Sequence, residues 1–89
     1  MLDDIFFAAE IDTHIATVDL HEFCTVPEAL EQLEKKLFLL FNSGTQYARV
    51  IHGIGSGRLA EAVHAALSKN PMIQKWKESE PGGSCIILF

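Results

Sequence analysis

The chain has 89 residues, 48% of them hydrophobic and 21% charged, with a net charge of −5. That describes one folded domain near the lower size at which a core holds without staples, rather than a disordered or membrane-spanning segment. The acidic balance also excludes a strong general field for phosphates, so nucleic-acid contact would need a local basic patch. Arg49 and Arg58 are its obvious members, with Lys75 and Lys77 sharing one face of a strand. Lys35 and Lys36 are expected on a solvated helix surface.

Met1 to about Glu10 is short, apolar and weakly helical, and residues 1–12 are expected to be an extension packing on a domain of residues 13–89. Asp3 and Asp4 precede Ile5-Phe6-Phe7, unlike the basic start of a secretion signal. Cys24 and Cys85 stand far apart in no C-x-x-C arrangement, so unpaired thiols in a reducing cytoplasm are the default expectation. Ile15 to Leu20 alternates as a strand. Thr25-Val26-Pro27-Glu28 is a capping box, and the apolar spacing of Val26, Leu30, Leu33, Leu37 and Leu40 predicts the helix it opens. Asn42-Ser43-Gly44 closes that helix. Phe38 and Phe41 are expected in the core, with Phe6 and Phe7 closing an open flank.

Tyr47 to Ile51 is the second strand. Leu59, Ala62, Val63, Ala66 and Leu67 form the stripe of a second helix, which Asn70-Pro71 stops. Met72 to Glu78, a turn at Glu80-Pro81-Gly82-Gly83, and Ser84 to Phe89 complete the order β-α-β-α-β-β. The long crossovers predict parallel pairing of the first two strands, and the last two form a hairpin. The expected architecture is α/β, a two-layer sandwich of a mixed four-stranded sheet with helices mainly on one face.

Chemistry gathers at two strand ends. Asp19 and His21 share one side of Val18-Asp19-Leu20-His21. The segment Ile51-His52-Gly53-Ile54-Gly55-Ser56-Gly57 runs straight into a helix. Its glycines let backbone amides approach a ligand, and the helix start adds partial positive charge suited to phosphate. The loop lacks the Gly-Lys-Ser/Thr ending of a Walker A motif and the spacing of a dinucleotide-binding loop. His14 and His64 fit no site spacing, and His64 is expected at the surface. Trp76, between two lysines, is expected to be core or partly buried, although such a residue can also stack on a base.

The two strings, in this order and spacing, resemble the Smr (small MutS-related) domain family from about Thr17 to Phe89. The resemblance implies a two-layer sandwich similar to the C-terminal domain of translation initiation factor three. It also implies endonuclease activity on DNA or RNA, in recombination or repair or in ribosome rescue. By position the family's Asp-x-His falls on Asp19 and His21, and its His-Gly-x-Gly loop on His52, Gly53 and Gly55, extended by Gly57. Glu22, Ile54 and Ala60 stand where the family often has Gly, Lys and Arg, which leaves the site less basic.

Two functions follow as expectations. In the first, Asp19 orients or activates a nucleophile or holds a metal ion, and His21 or His52 is general acid or base. The amides of Gly53, Ile54, Gly55, Ser56 and Gly57 then hold a phosphate, with Arg58 as cation. A cofactor is not specified, and Mg²⁺ or Mn²⁺ remains open. In the second, the loop is a non-catalytic docking surface for a phosphate or a protein. The expected partner is nucleic acid, RNA or structured DNA, or else a protein; a membrane is not expected.

Overall fold

The computed structural model describes residues 2–23, 25–79 and 82–89. Helix α1 (Leu2–Ile11) comes first, followed by β1 (Ala16–Asp19), α2 (Val26–Asn42), β2 (Tyr47–Ile51), α3 (Arg58–Lys69), β3 (Lys75–Ser79) and β4 (Ser84–Leu88). The four strands form one sheet in the order β1-β2-β4-β3. β1 and β2 are parallel, while β4 is antiparallel to both β2 and β3. The mixed sheet, the parallel first pair and the closing hairpin therefore follow the expected architecture. Cys24, Glu80 and Pro81, one of the two thiols and half of the turn, lie outside the described residues.

Capping starts α2 as the sequence dictates: Thr25 has extended backbone and its hydroxyl accepts from the Glu28 amide at 3.2 Å. One stripe of α2 (Ala29, Leu33, Leu37) and one of α3 (Val63, Leu67) then bury against Val18, Leu20, Ala48, Val50, Cys85 and Ile87 of the sheet side. Phe38 and Phe41 do not join this core; they are 56% and 45% exposed. Leu37 to Phe41 are five successive apolar residues, and a helix with 3.6 residues per turn cannot aim all of them at one sheet. Leu37 takes the buried position.

The opposite sheet face is covered in part by α1. Because side chains alternate along a strand, Ile86 and Leu88 point away from Cys85 and Ile87, and they pack with Phe6 and Ala9. Phe6 thus closes the flank, whereas Phe7 is 67% exposed. Polar contacts fix this layer as well. The Tyr47 hydroxyl donates to Asp12 at 2.8 Å, and the Ser79 hydroxyl donates to the Glu10 carboxylate. Arg49 belongs to this face: its guanidinium donates to Ser79 and Ser84 at 3.3 and 3.1 Å. It is therefore not a partner of Arg58 in a basic patch beside the glycine loop.

Candidate active site

Asp19 and Ile51 are register partners at the ends of the parallel pair β1 and β2, so both strings leave the sheet at the same carboxyl edge. The Leu20 amide carries the pairing one residue further, donating to the Ile51 carbonyl at 2.7 Å. Leu20 itself is fully buried. Asp19 and His21, flanking it, turn outward with side chains 40% and 60% exposed.

The Asp19 carboxylate accepts from the His21 backbone amide at 3.1 Å and from the His21 ring Nδ1. A carboxylate bonding two residues onward makes a local turn that holds the imidazole in place. The ring contact holds the Asp19 carboxyl below its ordinary value, with a smaller long-range pull from Lys36 on α2. The same contact holds the His21 proton to higher pH than a free imidazole. His21 contributes stability fully below pH 6.5 and loses it as pH rises through its higher folded value. Asp19 contributes above pH 3.8 and loses it as pH falls through its lower folded value. The pair is fullest between those two limits, and exposure keeps its energetic effect small. An NMR titration of the His21 ring is expected to give a midpoint above 6.5, and Asp19→Asn is expected to bring it down.

Gly53 joins the two strings. A Cβ at this position would lie 3.4 Å from the His21 Cβ, and its φ of +79° is a conformation that side chains resist. Gly57, at φ +85°, has nothing within 4 Å. Gly53→Ala and Gly57→Ala should therefore both lose about 1–2 kcal/mol in denaturant unfolding. Only Gly53→Ala should also move the His21 titration.

The loop amides divide into two groups. Those of His52 and Gly53 donate to the Gly83 carbonyl at 3.0 and 2.9 Å, which ties the loop to the β3–β4 turn. Among the described residues, the amides of Ile54, Gly55, Ser56 and Gly57 have no partner within the protein. Gly57 begins α3 without any side-chain cap, and Arg58, exposed, follows at once. Among the described residues the open amides of the loop are therefore those of Ile54 to Gly57, followed by Arg58.

His52 is buried, unlike the exposed Asp19–His21 pair. It is 5% exposed, because it continues the inward alternation of Ala48 and Val50 along β2. Its Nδ1 donates to the Gly53 carbonyl at 2.8 Å, so in the neutral ring Nε2 carries the lone pair. That nitrogen is 3.7 Å from the Cys85 sulfur. His64, expected at the surface, is half-buried. Its ring meets His52 edge-on at 5.4 Å and stacks on Trp76 at 4.7 Å, and its Nε2 is buried without a hydrogen-bond partner among the described residues. Trp76 is partly buried, its indole N–H donating to Ser68 at 3.2 Å. Burial pushes the Cys85 thiol up to about 12. The sequence signal for this inner group was the alternation that aims His52 and Cys85 inward; nothing local marked His64.

A sequence model of the Smr domain matches residues 18–88. The chain is 43% identical over 65 residues to "Endonuclease MutS2" of Aquifex aeolicus (strain VF5), covering 71% of this chain and 8% of that protein. It is 38% identical over 56 residues to "Endonuclease MutS2" of Thermomicrobium roseum, covering 63% of this chain and 7% of the relative. The chain thus spans under a tenth of the length of these relatives. The fold is similar to the crystal structure of the Smr domain of Thermus thermophilus MutS2, with a TM-score of 0.78 and 28% identity. That likeness covers 83% of this chain and 96% of the other.

Proposed function

Because this chain belongs to the Smr domain family, we propose that its outer site binds nucleic acid and cleaves a phosphodiester bond in RNA or structured DNA. The observation that carries the reading is His21, bonded to Asp19 and set against Gly53 at the entrance to the uncapped start of α3. A phosphate taken by the amides of Ile54 to Gly57 would place a P–O bond beside this ring.

His21 is then the general acid. Asp19 keeps the ring protonated to higher pH than a free imidazole, so it supplies both a proton for the leaving oxygen and positive charge for the phosphate. Arg58 and, at longer range, Lys36 add the remaining local charge. Asp19 is a positioning residue for His21. Its second oxygen, with phosphate oxygens and waters, would suit Mg²⁺ or Mn²⁺, which needs few protein carboxylates. His52 holds the loop from inside rather than touching substrate. The reading places the domain in the cytoplasm, in DNA repair or recombination or in ribosome rescue. No helix among the described residues is long and apolar enough to cross a membrane.

One observation favours a second reading, a non-catalytic docking module. Ile54, 83% exposed at the loop tip, puts an apolar side chain where a lysine would meet phosphate, on a chain of net charge −5. End-labelled stem-loop RNA and duplex DNA, incubated with the domain with and without Mg²⁺ or Mn²⁺, separate the two. Discrete products are expected from one of them. Uncut substrate that still shifts in a gel would establish the docking module, and neither cutting nor shift would overturn both nucleic-acid readings.

A further inference from the structure

We propose that His52, His64 and Cys85 form a binding site for one zinc-class cation beneath the glycine loop. The three residues come from the end of β2, from α3 and from β4, and one donor atom of each lies within 4.8 Å of the others. The His52 Nε2 to Cys85 Sγ distance is 3.7 Å. Zinc bonds of about 2.0–2.1 Å to nitrogen and 2.3 Å to sulfur at a tetrahedral angle give an N···S separation of about 3.6 Å. The His52–Cys85 pair therefore stands at ligand spacing already, and the His64 donor, within 4.8 Å of both, moves inward to close on an ion.

The His52 imidazole is already oriented as a metal ligand. The His52 Nδ1 donates to the Gly53 carbonyl, the outer contact that typically fixes the tautomer of a ligating histidine and aims Nε2 at the ion. The His64 ring is held by Trp76 on one side and by the edge of His52 on another. Packing explains where that ring sits. It does not explain a buried Nε2 with no hydrogen-bond partner among the described residues, an arrangement that costs free energy unless something accepts from it or donates to it. An ion bound to its lone pair satisfies it.

Two neutral imidazoles and one thiolate are a nitrogen–sulfur donor set that selects zinc over magnesium or calcium. Binding displaces the Cys85 S–H proton to solvent, forms the metal–sulfur bond and involves no change of oxidation state. Three protein ligands leave a fourth position, which a water fills. Because His52 leads directly into Gly53, an ion here would stiffen the loop from its inner side. The site stands apart from the Asp19–His21 pair and does not depend on cleavage.

Cobalt(II) is the probe, used with the whole chain in a Cys24→Ser background so that Cys85 is the one remaining thiol. One equivalent of Co²⁺ is expected to give a thiolate-to-cobalt charge-transfer band with tetrahedral d–d absorption, and to change the emission of Trp76, the chain's one tryptophan. Zn²⁺ should bleach the cobalt spectrum and raise Tm. Cys85→Ser is expected to abolish the band. His64→Phe keeps a ring on Trp76 but removes Nε2, and should weaken binding by about 10–100-fold or more. If Cys85→Ser does not fold, His64→Phe decides alone. No band in the Cys24→Ser protein, or one of undiminished affinity in folded His64→Phe, overturns the site.

Discussion

His21→Ala is expected to lower the rate of phosphodiester cleavage by about 10²–10⁴-fold, the usual size of a lost general acid or base. The substitution removes an exposed ring whose hydrogen-bond partner among the described residues is Asp19, so the fold should survive with its unfolding transition nearly unchanged. Asp19→Asn should also slow cleavage but leave a residual rate, since the imidazole stays within reach while losing the partner that keeps it charged. The two effects should not add. Once His21 is alanine, Asp19 has no ring to hold, so without added metal the double variant should match His21→Ala, and a further loss confined to Mg²⁺ or Mn²⁺ would mark the carboxylate as a metal ligand. Single-turnover rates for the four proteins, with circular dichroism to check folding, measure this. Equal rates for His21→Ala and the unaltered domain would remove His21 from the chemistry.

The largest stability effect is expected at Leu20, the residue between the two site side chains. It is fully buried in the cluster formed with β1, α2, β2, α3 and β4. Leu20→Ala removes most of an aliphatic side chain and leaves a cavity, at a cost of about 2–5 kcal/mol. Against a total of about 5–15 kcal/mol for a domain, that is a large share. In urea the midpoint should fall with the slope unchanged. The cost also reaches the site, because burial of Leu20 is what turns Asp19 and His21 outward. The His21 titration in folded Leu20→Ala should lie closer to 6.5 than in the unaltered domain.

Period and punctuation made much of this fold legible. Alternation marked β1 and β2, helical spacing marked α2 and α3, and the glycine turn marked the hairpin, though β3 begins at Lys75 rather than Met72. The Asp19–His21 pair was legible for the same reason, since residues two apart on a strand share a face. The run from Leu37 to Phe41 was not, because an unbroken apolar stretch does not say which side meets the sheet. His52 was grouped with its glycine neighbours, and the step of two from Ala48 and Val50 is the signal that aims its side chain inward. His64 could not be placed from sequence alone: its surroundings come from β2, β3 and β4, and only the folded sheet brings Trp76 and Cys85 to it. The coverage of the second sheet face by α1 depends likewise on contacts distant in sequence, such as Ser79 with Glu10.

The most direct test of the outer site is the pH dependence of the single-turnover cleavage rate for the unaltered domain and for Asp19→Asn. With His21 as the acid, the unaltered rate should fall on the alkaline side through the His21 midpoint measured by NMR, above 6.5. In Asp19→Asn that limb should move to lower pH together with the NMR midpoint. An alkaline limb that stays in place while the His21 titration moves would contradict the account, as would a rate indifferent to both.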